Sequence, residues 1–233
     1  MAPTLVDILS LDLPAFVIGI GFHEFCHAFA ADRLGDPTPR EQGRVSLNPI
    51  AHLDLIGTLL PMYLSLTGSQ FGLGWGKPVQ VDPSKFKDPD RGFGIVAIAG
   101  PLGNLLICLL IGLFLRLTPE SPILLKSLTN PTWNFAYRLL IRIYCMNLGL
   151  FLFNLLPIPP LDGSKVLSWL GGQPARDFFT RIKPYSLIIF IALLSSRIDS
   201  ILLVPLFIKS TLLLTGKMAT YVFFPTRLIT DFL

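Results

Sequence analysis

His23, Glu24 and His27 fall within five residues of one another, in "GFHEFCHAFAADRLG" at positions 21–35. Immediately upstream lies "LDLPAFVIGI", which is almost wholly apolar. Residues four apart share one face of a helix, so the two imidazoles can hold one metal ion together. Glu24 is displaced by about a quarter turn, near enough to reach a water at the metal's open position without being a ligand. Two imidazoles on zinc and a glutamate as general base are the chemistry of an HExxH sequence. Three protein ligands and one open position make a catalytic zinc site, so a third Asp, Glu or His is expected from another element. Ionisable groups inside a membrane helix are costly and functional by default, and three of them cluster here.

Few residues can complete the set. His52 and Asp54 flank the start of a weakly apolar run and read as loop groups at the water interface. Asp82, Asp88 and Asp90 sit in a polar loop and read as solvated. Asp162 follows an apolar helix in "NLLPIPPLDG", where three prolines break the helix and Gly163 permits unusual backbone angles. Broken helices at membrane depth survive where protein or a watery cavity satisfies the freed backbone. Asp162 is therefore either aimed into a site or an ordinary cap for the next helix, "SKVLSWL".

The elements that must position these groups are membrane elements. Of 233 residues, 52% are hydrophobic and only 15% charged, against about 25% charged in a soluble domain. Mean hydropathy is +0.62. The expected fold is all-α, a polytopic membrane bundle forming one membrane-embedded domain over 1–233, with a core at about 13–170 and supporting helices at about 178–225. Spans of about 20 residues are expected at 11–33, 93–117 and 136–156, with two more in the apolar C-terminal third, split near "SSRIDS". The run at 53–67 is short for a span and contains Pro61. An alternating piece near 75–82, "KPVQVD", reads as a short strand or hairpin at the membrane surface. Cys26, Cys108 and Cys145 form no CxxC pair and read as small packing groups. The net charge of +4 is modest and calls for no nucleic-acid partner. The first basic residue is Arg33, behind Asp7 and Asp12, so no cleavable signal peptide is expected and the first helix itself should insert.

Together, "HEFCH" (23–27), "AGPLGN" (99–104) and "NLLPIPPLDG" (154–163) resemble the site-2 protease family of intramembrane zinc metalloproteases (peptidase M50). The resemblance implies one zinc ion per chain held by His23, His27 and Asp162, with Glu24 as the base. It implies that Asn154 orients or binds the substrate strand, and that Asn104 does so too or packs helices. It implies transmembrane protein substrates, membrane-anchored regulators among them, cut in or near their membrane segments. No PDZ-like insertion follows the HExxH helix and no CBS-like domain follows the core, so the chain looks like a minimal member. A bacterial or archaeal plasma membrane, or a plastid membrane, would suit it as a multi-pass protein.

Sharing one ion fixes a topology. HExxH and Asp162 both lie near the C-terminal ends of their helices, so those helices must point the same way. That holds if 53–67 is re-entrant or interfacial rather than spanning. Arg33, Arg40, Arg44, Lys77, Lys85, Lys87, Arg91, Lys165, Arg176, Arg181 and Lys183 then share one side, cytoplasmic by the positive-inside tendency. The "GWGKPVQVD" stretch would sit at the mouth of the site, where an edge can take an extended peptide by strand addition. Rival functions are a metal transporter, which needs ligands at further depths, and a catalytically inactive scaffold that binds membrane proteins.

Overall fold

The computed structural model describes residues 4–67, 74–117, 130–195 and 202–215. Among them it is helical, with three helices long and apolar enough to cross a membrane. These are α1 (Leu5–Arg33), α3 (Pro89–Leu117) and α4 (Pro131–Asn154), at the three positions expected from hydropathy. A twelve-residue helix, α2 (Leu55–Leu66), lies between α1 and α3. After α4 come α5 (Asp162–Leu170), α6 (Gly172–Ile182), α7 (Ser186–Ser195) and α8 (Val204–Thr215).

The boundaries follow from local chemistry. Asn130 caps α4, its side chain accepting from Thr132 N and Trp133 N, and Pro131 fills the first position, where no N–H is needed. Asp54 caps α2 through Gly57 N at 2.7 Å. α1 widens into a π turn at Ile8–Asp12, just ahead of Pro14, which has no N–H to continue the ladder.

α1 and α4 run parallel. Asp7 meets Arg138 at 2.5 Å and Asp12 meets Arg142 at 3.3 Å, while Gly19 packs against Met146, Asn147 and Leu150. α3 runs antiparallel to α1, pairing Asn104 with His23 and Val96 with Ala31. Small residues permit the close approach: Ala15, Ala28 and Ala31 are fully buried, and Gly103 faces Cys26. Such small-residue seams suit helices packed in lipid. The polarity is inverted relative to a water-soluble bundle. Asn104 and Asn147 are fully buried, whereas Leu106, Leu109, Leu110 and Leu113 of α3 are exposed. An apolar belt outside and paired polar groups inside belong to a membrane protein.

α2 is about 18 Å long, short of a hydrocarbon core of about 30 Å; Pro61 sits inside it. Three of the five expected spans are present, and the two expected in the C-terminal third run past the described residues, which break off after Ser195 in α7 and after Thr215 in α8. The expected hairpin near 75–82 is not formed. Leu53 and Gly76 form an isolated antiparallel bridge, and no strand occurs among the described residues. Pro78 lacks the N–H a ladder needs, and the segment bonds outward instead, Trp75 N to Gly57 O at 3.2 Å and Lys77 N to His52 O at 2.7 Å. It is an extended strap laid against the start of α2.

Candidate metal centre

His23 and His27 occupy successive turns of α1, and both are buried. Their rings face α3 at Gly100, where an added Cβ would run into the His27 imidazole and come within 2.8 Å of His23 Cε1. Only glycine leaves room for the pair. Asp162 arrives from the other side, at the first residue of α5. Gly163 lets that turn fold tightly under α4, because a Cβ there would meet the carbonyls of Leu155 and Leu156. The "LDG" of the sequence thus has a packing reason for its glycine as well as a chemical one for its aspartate.

The three side chains converge. His23 Nε2 and His27 Nε2 are 3.0 Å apart, and each is 3.2 Å from Asp162 Oδ2. The tautomers follow from what lies behind the rings. His27 Nδ1 is 2.7 Å from the carbonyl oxygen of Val96, which can only accept, so Nδ1 carries the proton. Asn104 gives its Nδ2 to Gly19 O at 3.0 Å and to Asn147 Oδ1 at 2.8 Å. Its Oδ1 must therefore be the atom at 2.6 Å from His23 Nδ1, which donates to it. Both Nε2 lone pairs then point at each other and at a carboxylate oxygen. Three electron-rich atoms at that spacing in a buried site require a positive charge between them.

Zinc fits this requirement. Bonds of about 2.0–2.1 Å place tetrahedral ligand atoms about 3.3–3.4 Å apart, close to what the side chains present. His23, His27 and Asp162 form the one group of this kind among the described residues. Lys165 Nζ lies 2.8 Å from Asp162 Oδ1, which leaves Oδ2 to face the imidazoles. Burial opposes ionisation of Asp162, whereas the Lys165 ammonium beside it favours the carboxylate.

Glu24 lies beside this group, half-buried, with Oε2 accepting from Val79 N at 3.2 Å. The strap therefore borders the site, as the placement of "GWGKPVQVD" at its mouth anticipates. A cavity of about 660 Å³ opens above the group, with Glu24, Asn154 and Lys165 on its polar side and Trp75, Phe153 and Phe190 in its apolar wall.

The other sequence candidates sort by position. Asn154 lines the cavity, its Nδ2 donating to Leu150 O at 3.0 Å. Asn104 is fully buried behind His23, so its side chain orients an imidazole and packs three helices rather than facing a substrate. His52 is fully buried, with Nε2 2.8 Å from Ser46 O. It is therefore not a loop group at the water interface, because the 46–53 turn folds back over it. Asp54 is the cap of α2. Asn147, the Val96 carbonyl, Val79 N and Lys165 escaped the sequence reading. Asn147 and Val96 lie in apolar runs with no spacing that marks them, whereas Lys165, three residues after Asp162, was within reach of a helical-spacing argument.

A curated relative, "Putative zinc metalloprotease YwhC" of Bacillus subtilis, is 35% identical over 192 residues, covering 82% of each chain. "Putative zinc metalloprotease Rip2" of Mycolicibacterium smegmatis is 26% identical over 195 residues, covering 81% of this chain and 68% of its own. No family model and no solved structure matches the chain.

Proposed function

Because this chain belongs to the zinc metalloprotease family represented by YwhC and Rip2, we propose that it is an intramembrane endopeptidase of the site-2 type. It cuts peptide bonds in or near transmembrane segments of other membrane proteins. The observation that carries this reading is the convergence of His23 Nε2, His27 Nε2 and Asp162 Oδ2 at 3.0–3.2 Å beside Glu24. It occurs in a protein whose spanning-length helix α1 carries both imidazoles, with Asp162 just past the end of the spanning-length α4.

Zinc held by these three residues would polarise the scissile carbonyl and make a water acidic enough to attack it near neutral pH. The chain's own groups do the rest. Glu24 takes the proton of the attacking water on its carboxylate and returns it to the leaving amine. Val79 N–H fixes one oxygen of that carboxylate, so the other is free to face the water. Asn104 and the Val96 carbonyl hold the two imidazoles in the tautomer that presents Nε2. The apolar wall of Trp75, Phe153 and Phe190 receives an unwound segment of a substrate helix. The strap and Asn154 offer polar groups along its path. A transporter would need a second ligand group at another depth, and the described residues hold one.

The test is cleavage in vesicles containing the purified chain and a panel of single-span proteins, with the products mapped by mass spectrometry. Chelation should stop cleavage, stoichiometric zinc should restore it, and the scissile bond should lie in or next to the bilayer. Cleavage confined to distant soluble loops, or indifferent to zinc, would overturn the proposal.

A further inference from the structure

Arg44 lies beyond the end of α1 and is 4% exposed, an unusual burial for an arginine. Its guanidinium donates to three main-chain carbonyls: Ala51 O, Lys77 O, and Pro78 O at 3.1 Å. Ala51 belongs to the short turn Pro49–His52, whereas residues 77 and 78 belong to the strap. The side chain therefore bridges two segments that share few other hydrogen bonds.

The strap needs such a bridge. Pro78 has no N–H, so beyond Lys77 N no amide is available to continue pairing with the 52–57 segment until Val79, and Val79 N is committed to Glu24. What the strap can offer is carbonyls, and a planar fork of donors can hold adjacent ones where a lysine's single ammonium would not fix both directions. The strap also rides directly on α1 beside the base. A Cβ on Gly76 would stand 3.0 Å from Glu24 Cγ and 3.1 Å from Ile20 Cγ2. Any slack in residues 75–79 is passed to the Glu24 carboxylate through Val79 N.

We propose that Arg44 is a positioning residue for Glu24, acting through the 75–79 strap that it ties to the Pro49–His52 turn. The proposal deepens the hydrolase reading and rests on it for its kinetic consequence. The tie itself is independent of any reaction.

The test uses the full zinc-loaded chain in detergent and compares wild type, Arg44→Met, Arg44→Lys and Val79→Pro. Three quantities are read: zinc per chain, amide hydrogen exchange across 75–79, and kcat and KM. Arg44→Met should keep one zinc per chain while the Lys77 and Val79 amides exchange at least about tenfold faster. Its kcat should fall about tenfold to a hundredfold, the scale set by small misplacement of a catalytic group. Arg44→Lys should restore little of either. Val79→Pro, which leaves Arg44 in place but removes the donor to Glu24, should lower kcat similarly with the Lys77 amide still protected. Should Arg44→Met not fold, Arg44→Lys and Val79→Pro carry the test. Unchanged strap exchange in zinc-loaded Arg44 variants overturns the proposal. So does full kcat in Val79→Pro, or a uniform rise in exchange together with zinc loss, the mark of a merely structural residue. If wild type cleaves nothing, the hydrolase reading fails while the exchange data still decide the tie.

Discussion

Replacing Asn104 by Leu should weaken zinc binding without unfolding the chain. The carboxamide is fully buried and makes three contacts, to His23 Nδ1, Gly19 O and Asn147 Oδ1, at 2.6, 3.0 and 2.8 Å. Gly19 O also faces the helix's own ladder, so the groups left orphaned are the His23 N–H and Asn147 Oδ1. Each buried unsatisfied group costs about 1–3 kcal/mol, which puts the destabilisation at about 2–6 kcal/mol before relaxation. Part of that appears as metal affinity, because His23 is no longer held with Nε2 forward. Loss of such a supporting hydrogen bond typically costs about 10–100-fold in affinity, or about 1.4–2.7 kcal/mol. Asn104→Asp keeps an acceptor for His23 and should retain zinc within about tenfold of wild type. The assay is competition for zinc between the solubilised protein and a chromophoric chelator. An affinity loss of less than about twofold in Asn104→Leu would refute the argument that this contact sets the imidazole.

Two other perturbations follow from the geometry. Gly100→Ala places a methyl against both imidazoles and should abolish stoichiometric zinc binding with helical content unchanged. Gly149→Ala, where nothing lies within 4 Å, is the control and should bind zinc normally. Asp36 is fully buried and, although burial opposes its ionisation, hydrogen bonds from Thr38 and Asp82 N and the nearby Lys85 lower its pKa below 3.8. A depressed folded value contributes stability above the unfolded pKa and loses it as pH falls through the folded one. The melting-temperature gap between wild type and Asp36→Asn should therefore be constant from about pH 8 to pH 5 and shrink below about pH 4. A gap that persists undiminished at low pH would count against the assignment.

How much of this was legible in the sequence depends on the range of each interaction. The spans were readable because hydropathy is local, and "HEFCH" and "LDG" because each motif lies on one helix or turn. The parallel course of α1 and α4 was derivable because the ligands must share one ion, and Asp7–Arg138 and Asp12–Arg142 now mark the opposite ends. What stayed hidden is long-range. Asn104 reaches His23 across 81 positions and Val79 reaches Glu24 across 55. Arg44 read as a topogenic charge because nothing local shows that three carbonyls surround it. The hairpin expectation failed for a related reason. Alternation in "KPVQVD" indicates extended backbone but not its partner, and the partner is the 52–57 segment.

The central claim is that one zinc group and Glu24 together hydrolyse peptide bonds. It is tested most directly by comparing wild type and Glu24→Gln at matched zinc content in vesicles with a cleavable membrane substrate. Glu24→Gln should bind one zinc per chain, as wild type does, and release no product. Product formation by that variant at a wild-type rate would contradict the account.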